Sequence, residues 1–185
     1  MSVQRSDEAL RAARFEQQVL VHLDSAYNLA RWITRDDAAA RDAVQDGCLQ
    51  AFVGFDRMHG GNARAWFLTV VRNACIDVLR KRRGHGIEDE YVDDLHGGEA
   101  NAAGNALTPE DIAVRASDAE WLRGCIDGLP RDYREVIVLR ELEELSYKEI
   151  GAIVDIPIGT VMSRLARARD LLQQRMLVAR ERSQR

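Results

Sequence analysis

Cysteine, proline and aromatic residues are all scarce in this chain of 185 residues, and each scarcity narrows what it can be. The three cysteines, Cys48, Cys75 and Cys125, are odd in number, far apart and without a Cys-x-x-Cys pair. Each falls at an apolar position of a predicted helix, so buried free thiols are expected rather than a disulfide framework. The four histidines, His22, His59, His85 and His96, are scattered, and neither a zinc site nor any other cofactor is expected. With three prolines, 6% aromatic residues and abundant Ala, Leu, Arg and Glu, an all-α fold is expected. No apolar run approaches the roughly 18 residues that a spanning helix needs. No signal peptide is visible either, so the expected location is cytoplasmic, without membrane insertion. A Gly-rich phosphate loop, a nucleophile elbow and a usefully spaced His–carboxylate pair are all missing, and an enzyme is not expected.

What is present is charge, unevenly placed. The formal net charge is −4, which by itself does not point to nucleic acid. Yet Glu88, Asp89, Glu90, Asp93, Asp94, Glu99, Glu110 and Asp111 stand in a stretch, Gly84 to Ile112, that holds no Lys or Arg. The flanking segments end in basic runs, Arg80-Lys81-Arg82-Arg83 and Arg164 to Arg185. Two basic modules about an acidic spacer can bind DNA although the sum is acidic.

Periodicity predicts helices over roughly 7–34, 37–54 and 63–83, the first broken near Val19. In the second, Asp42, Gln45, Asp46 and Leu49 fall on one face and Val44, Cys48, Ala51 and Phe52 on another. In the third, Trp66, Val70, Asn73, Asp77 and Arg80 form a stripe that begins apolar and turns polar. The segment 84–107 has little helical period and reads as a charge-extended linker. Thr108-Pro109-Glu110-Asp111 then combines an N-cap, a proline for the first turn and acids for the positive end of the dipole. The predicted helix runs to about Asp127, Gly128-Leu129-Pro130 breaks it, and a second helix spans Arg131 to Leu142. Ser146 with Glu149 forms a capping box for a third, and Pro157 suits the first turn of a fourth reaching at least Gln174. The expected architecture is two small helical bundles, 7–83 and 108–178, joined by a tether.

The last two helices read as a helix-turn-helix. Val161, Leu165, Ala168 and Leu172 share an apolar face; Thr160, Ser163, Ala166 and Arg167 point away, with Arg164 and Arg169 on the flanks. Such a helix can enter the major groove, where Arg reaches guanine or phosphate and Ser or Thr either. A solvated basic face on an ordinary amphipathic helix is the competing reading. Upstream, Trp66 and Phe67 beside the basic run 80–83 suit unstacked bases and phosphates. Trp66 as core, with the cations capping a helix dipole, is the alternative there, and Asp77 is expected to pair with a neighbouring Arg.

Taken in order, these segments resemble a bacterial RNA polymerase sigma factor of the extracytoplasmic-function kind, from about Phe15 to Leu172 apart from the linker. Asp42-Ala43-Val44-Gln45-Asp46 resembles the region-two helix that docks on the polymerase beta-prime clamp helices. Ala65-Trp66-Phe67 through Val70, Asn73, Asp77 and Arg80 resembles the segment that reads the minus-ten element. Ile156-Pro157-Ile158-Gly159-Thr160-Val161, Ser163-Arg164-Leu165 and Arg167-Ala168-Arg169 resemble the minus-thirty-five recognition helix. The chain departs from the family pattern at Arg41, usually an acid, at Gly47, often Thr, and at Asp155, usually Gly. Met162 replaces a usual Lys or Arg and Ala166 a larger residue, which bears on promoter preference.

The resemblance implies that the protein binds core RNA polymerase, through its beta-prime and beta subunits, and directs it to promoter DNA. It implies contacts to core from Asp42, Gln45, Asp46 and Leu49. Minus-ten DNA would meet Trp66, Arg72, Asn73, Arg80, Lys81 and Arg82. Minus-thirty-five DNA would meet Tyr147, Thr160, Met162, Ser163, Arg164, Ala166, Arg167 and Arg169. An anti-sigma factor is the expected regulator. The acidic linker would lie in the RNA channel as a mimic of RNA charge, or serve only as a solvated tether. The rivals are a DNA-binding regulator that never touches polymerase and a sigma-like decoy without promoter activity.

Overall fold

The computed structural model describes residues 2–58, 61–84 and 119–183, and every regular element among them is helical. The linker acids Glu88 to Glu99 and the Thr108-Pro109 helix start lie outside the described residues. The first bundle comprises α1 (Ser2–Gln18), α2 (Leu23–Thr34), α3 (Asp37–Gly54) and α4 (Ala63–Gly84). The second comprises α5 (119–127), α6 (Arg131–Ile137), α7 (Tyr147–Val154) and α8 (Ile158–Ser183). No described helix is long and apolar enough to cross a membrane.

The predicted break at Val19 is real. A short 3-10 turn, Leu20–His22, separates α1 from α2. Phe15 on α1 meets Phe52 and Phe55 edge-on at 5.1 and 5.4 Å, which ties α1 to the end of α3. Ala26, Leu29, Ala30 and Ile33 of α2 are buried at helical spacing, as are Phe67, Val71, Ala74 and Cys75 of α4. Full burial of each large side chain contributes roughly 1.5–3 kcal/mol. Asp36 caps α3, its Oδ1 accepting the Ala39 amide at 2.6 Å. That hydrogen bond, with the Arg82 guanidinium, holds the Asp36 carboxyl below its usual range.

The buried face of α3 is made of small residues, Ala39, Ala40, Ala43, Gly47 and Ala51, so α4 approaches closely. A Cβ at Gly47 would sit 2.8 Å from Val71 Cγ2 and 3.2 Å from Val71 Cα. The glycine inside a helix is therefore required by packing. Its conformational cost is outweighed by the contact it permits.

In the second bundle Arg134 is buried at the α5–α6 break. Its guanidinium donates to the carbonyls of Asp127 at 2.7 Å and Leu129 at 3.4 Å, and so satisfies the end of α5. Burial pulls the Arg134 pKa down to about 10, and burial raises that of the neighbouring Asp127. The helix predicted over Arg131 to Leu142 forms, but its last five residues, Val138–Leu142, wind as a π-helix. Glu143 N–H reaches the Val138 carbonyl at 3.1 Å, and Glu144 takes a φ of 53°. The wider turn leaves Glu143 buried.

The two bundles do not stand apart. Elements α2 and α4 pack on α6, the π turn and α7, and the buried apolar residues of both bundles form one cluster. Two beads on a tether, the expected arrangement, are thus joined in the structure by a direct seam.

Candidate functional site

Three surfaces carry the sequence-predicted site residues. On α3, Asp42, Gln45, Asp46 and Leu49 are all exposed, at the i, i+3, i+4, i+7 spacing of one helical face. Leu49 is 61% exposed, and Val53, one turn on, is 79% exposed and extends the stripe. An acidic and apolar ridge on a rigid helix suits a partner helix carrying basic and apolar groups. Arg41 lies beside this ridge, paired with Asp37 one turn back at 3.3 Å. Sequence reasoning passed over Val53, because between Phe52 and Gly54 it reads as part of the apolar end of the helix.

The α4 surface divides. Asn62 closes its N-terminus, its Oδ1 accepting the Ala65 amide at 3.0 Å. Trp66 is half-buried against the core, whereas Asn73 and Arg80 are exposed. Asp77 accepts from Arg80 at 3.1 Å, the pairing expected for that acid. Arg82 reaches back to Asp36 at 3.1 Å, and Lys81 is exposed. Arg72 faces the other way. It is mostly buried and forms an ion pair with Glu135 of α6, in the seam between the bundles. The structure therefore gathers Asn73, Arg80 and Lys81 on open surface and places Arg72 against the second bundle.

The third surface is the helix-turn-helix. Ser146 and Glu149 form the full capping box: the Glu149 amide reaches Ser146 Oγ at 3.3 Å and the Ser146 amide reaches Glu149 Oε2 at 2.8 Å. The Ser146 hydroxyl also donates to Glu149 Oε2 at 2.5 Å, and this bond, with the one from the Ser146 amide, holds the Glu149 carboxyl below its usual range. Asp155 ends α7 in the left-handed conformation, φ 57° and ψ 53°, where glycine would carry no steric penalty. Gly151 lets the turn close, since a Cβ there would lie 2.9 Å from the Ile156 carbonyl oxygen.

Helix α8 follows with Pro157 just before it, whose carbonyl accepts the amides of Thr160 and Val161. Val161, Leu165 and Ala168 are buried and Leu172 is half-buried, as the helical wheel requires. Met162, Ser163, Ala166, Arg167 and Arg169 are exposed, and Thr160 is half-buried. Two arginines are held by acids of their own bundle, Arg164 by Asp132 at 2.9 Å and Arg169 by Glu141 at 2.7 Å. Both pairs are solvent-accessible and therefore cheap to exchange for phosphate. Tyr147 is half-buried beneath the Arg140 guanidinium, 5.1 Å from its ring centre. All three cysteines are free thiols; Cys75 and Cys125 are buried, Cys48 partly so, and burial pushes the Cys75 thiol up to about 12.

Sequence reasoning missed the seam itself. Arg64 donates to Glu143 at 2.6 Å, Asn28 to the same carboxylate at 2.8 Å, and Asn62 to Glu149 at 2.6 Å. No local signal marks these partners, which stand 79, 115 and 87 positions apart.

The Sigma-70 region 2 family model matches residues 19–85 and the Sigma-70, region 4 model matches residues 119–172. The ECF RNA polymerase sigma factor SigW of Bacillus subtilis (strain 168) is 30% identical over 169 residues, covering 88% of each chain. The ECF RNA polymerase sigma-E factor of Escherichia coli (strain K12) is 28% identical over 187 residues, covering 95% of this chain and 97% of its own. Among solved structures, the sigma factor RpoE from Bartonella quintana, in complex with the anti-sigma factor NepR, superposes with a TM-score of 0.72 at 28% identity. That match covers 89% of this chain and 98% of RpoE. CnrH, in complex with the cytosolic domain of CnrY, shares the fold with a TM-score of 0.58 at 22% identity. The chain belongs to the extracytoplasmic-function family of RNA polymerase sigma factors.

Proposed function

We propose that this alternative sigma factor divides promoter-specific initiation among the three surfaces described. The α3 ridge of Asp42, Gln45, Asp46 and Leu49 receives core polymerase. The α4 surface, with Trp66, Asn73, Arg80, Lys81 and Arg82, takes the melted minus-ten strand, and Arg72 joins it when released from Glu135. The exposed face of α8 enters the major groove at the minus-thirty-five element, with Arg167 as its principal base-reading side chain. The boundaries 7–83 and 108–178 are those of the two working units. The protein's part is binding rather than catalysis, and its place of action is the cytoplasm, where the polymerase is.

The observation that carries this reading is the α8 helix, whose apolar stripe is buried while Met162, Ser163, Ala166 and Arg167 stand exposed beyond a capped helix-turn-helix. A helix held this firmly by one face presents the other with little entropy left to lose on binding DNA. Arg167 has a further merit, since among the described residues no acid is paired with it, unlike Arg164 and Arg169.

An anti-sigma factor is the proposed regulator. Support comes from the RpoE match, which was solved with its anti-sigma factor bound. The test is transcription reconstituted from core polymerase, the full chain and genomic DNA, with start sites mapped. Discrete starts that depend on the chain are expected. Arg167→Ala should weaken binding at those promoters by ~1–3 kcal/mol. Unaltered promoter binding would remove α8 from the groove, and an absence of discrete starts would overturn the reading.

A further inference from the structure

We infer that the chain holds itself closed, with the second bundle occupying one DNA-binding cation of the first, Arg72. The inference rests on the reading of Arg72 as a phosphate contact. In the structure that guanidinium is engaged by Glu135, with Nε and Nη2 both directed at the carboxylate. A carboxylate that accepts two bonds from one arginine fork copies the geometry a backbone phosphate would offer. Glu135 is an internal stand-in for DNA.

Two further contacts make the closure specific. Glu143, set inward by the π turn, receives Arg64 and Asn28 on its two oxygens. Glu149, already committed to the capping box, receives Asn62 from the cap of α4. The side chains of Glu135 and Glu143 are only 2% and 5% exposed, and both take their charged partners across the seam. Buried carboxylates of this kind define one relative placement of the bundles, because any other placement leaves them without partners.

The same physics keeps the seam reversible. Removing charges from water costs nearly what their attraction returns, so such pairs add little net stability. Opening returns Glu135 and Glu143 to solvent and frees Arg72 for phosphate. Meanwhile the α3 ridge stays exposed in the closed form. Core polymerase can therefore dock before the seam opens, whereas full engagement of DNA by the first bundle requires opening.

The test uses the full chain with dyes at Gln17→Cys and Gln173→Cys, both exposed positions on different bundles, in a Cys48→Ser background. Energy transfer reads closure, and affinity for a labelled mixed-sequence duplex reads access to phosphate. The seam variant is Glu135→Gln with Glu143→Gln, isosteric at both sites. The control, Glu120→Gln with Glu144→Gln, makes the same charge change at exposed positions. The seam variant should lose most of its close-dye population, and its duplex affinity should rise about tenfold above the control. If circular dichroism shows the seam variant misfolded, Arg64→Gln with Glu143→Gln opens the outer pair and carries the same expectation for dye separation.

A wild-type chain without a close-dye population would overturn the inference. So would a folded seam variant that stays closed, or one that opens without gaining DNA affinity over the control. Chain-dependent transcription from core polymerase reports separately on the sigma reading. Its absence alongside the expected dye and affinity changes would sink that reading and leave the closure standing.

Discussion

At Gly47 the residue type and the helical position pull in opposite directions. Alanine is the better helix former by about 1 kcal/mol, so helix propensity alone favours Gly47→Ala. The structure reverses the sign. Val71 Cγ2 would lie 2.8 Å from the new methyl and the Val71 backbone 3.2 Å away, so α3 and α4 would have to separate. Overpacking of this kind costs ~1–3 kcal/mol, and a urea melt of Gly47→Ala should show a net loss of stability. A gain would mean that the helices yield more easily than the contact suggests. Asp155 is the opposite case, since its conformation was legible. An acid standing in a turn that favours glycine implied a left-handed backbone, and φ is 57°. Asp155→Val should destabilise the second bundle by about 1–2 kcal/mol, while Asp155→Gly should be tolerated. Thermal melts of the two variants would separate conformational strain from any loss of the carboxylate.

At the scale of the element, legibility followed the range of the forces involved. Capping boxes, breaks at Gly-Leu-Pro and apolar stripes act within a few residues, and they placed α2, α3, α4, α7 and α8 close to their observed positions. The π turn after α6 was not legible. Its cause is tertiary: the widened turn buries Glu143 against Arg64 and Asn28, which are remote in the chain. The capping box gives an element-scale prediction. Ser146→Ala should cost roughly 0.5–2 kcal/mol at neutral pH. Because Glu149 has its pKa lowered in the folded protein, chiefly by the Ser146 hydroxyl, its contribution is present above the ordinary value of 4.5. It is lost as pH falls through the lower, folded value. The difference between wild type and Ser146→Ala in denaturant melts should therefore shrink as the pH is lowered below 4.5 through the folded value. An undiminished difference there would show that the hydroxyl caps the helix without help from the carboxylate.

For the molecule as a whole, single-helix faces and the seam between the bundles follow different sequence rules. The proposed α3 and α8 surfaces were readable because nearly all of their residues share one face of one helix. The seam was not, because it is built from single polar residues of opposite bundles, and charge pairs carry no period. This division leaves the α3 ridge, proposed to face polymerase, outside the seam. Asp42, Gln45, Asp46 and Leu49 are exposed while Arg72 is engaged, and none of them is a partner in the seam's ion pairs. Asp42→Arg with Gln45→Ala should therefore reduce core affinity by about tenfold or more, since a charge reversal meets a basic partner with repulsion. Stability should stay within about 0.5 kcal/mol of wild type, because both side chains are surface groups away from the core. Duplex affinity of the free chain should also hold. Measured together by core titration, melting and DNA binding, these outcomes separate a docking face from a structural one. Retained core affinity would move the docking face off α3, and a shared loss of all three properties would mean that the substitutions disturb the bundle itself.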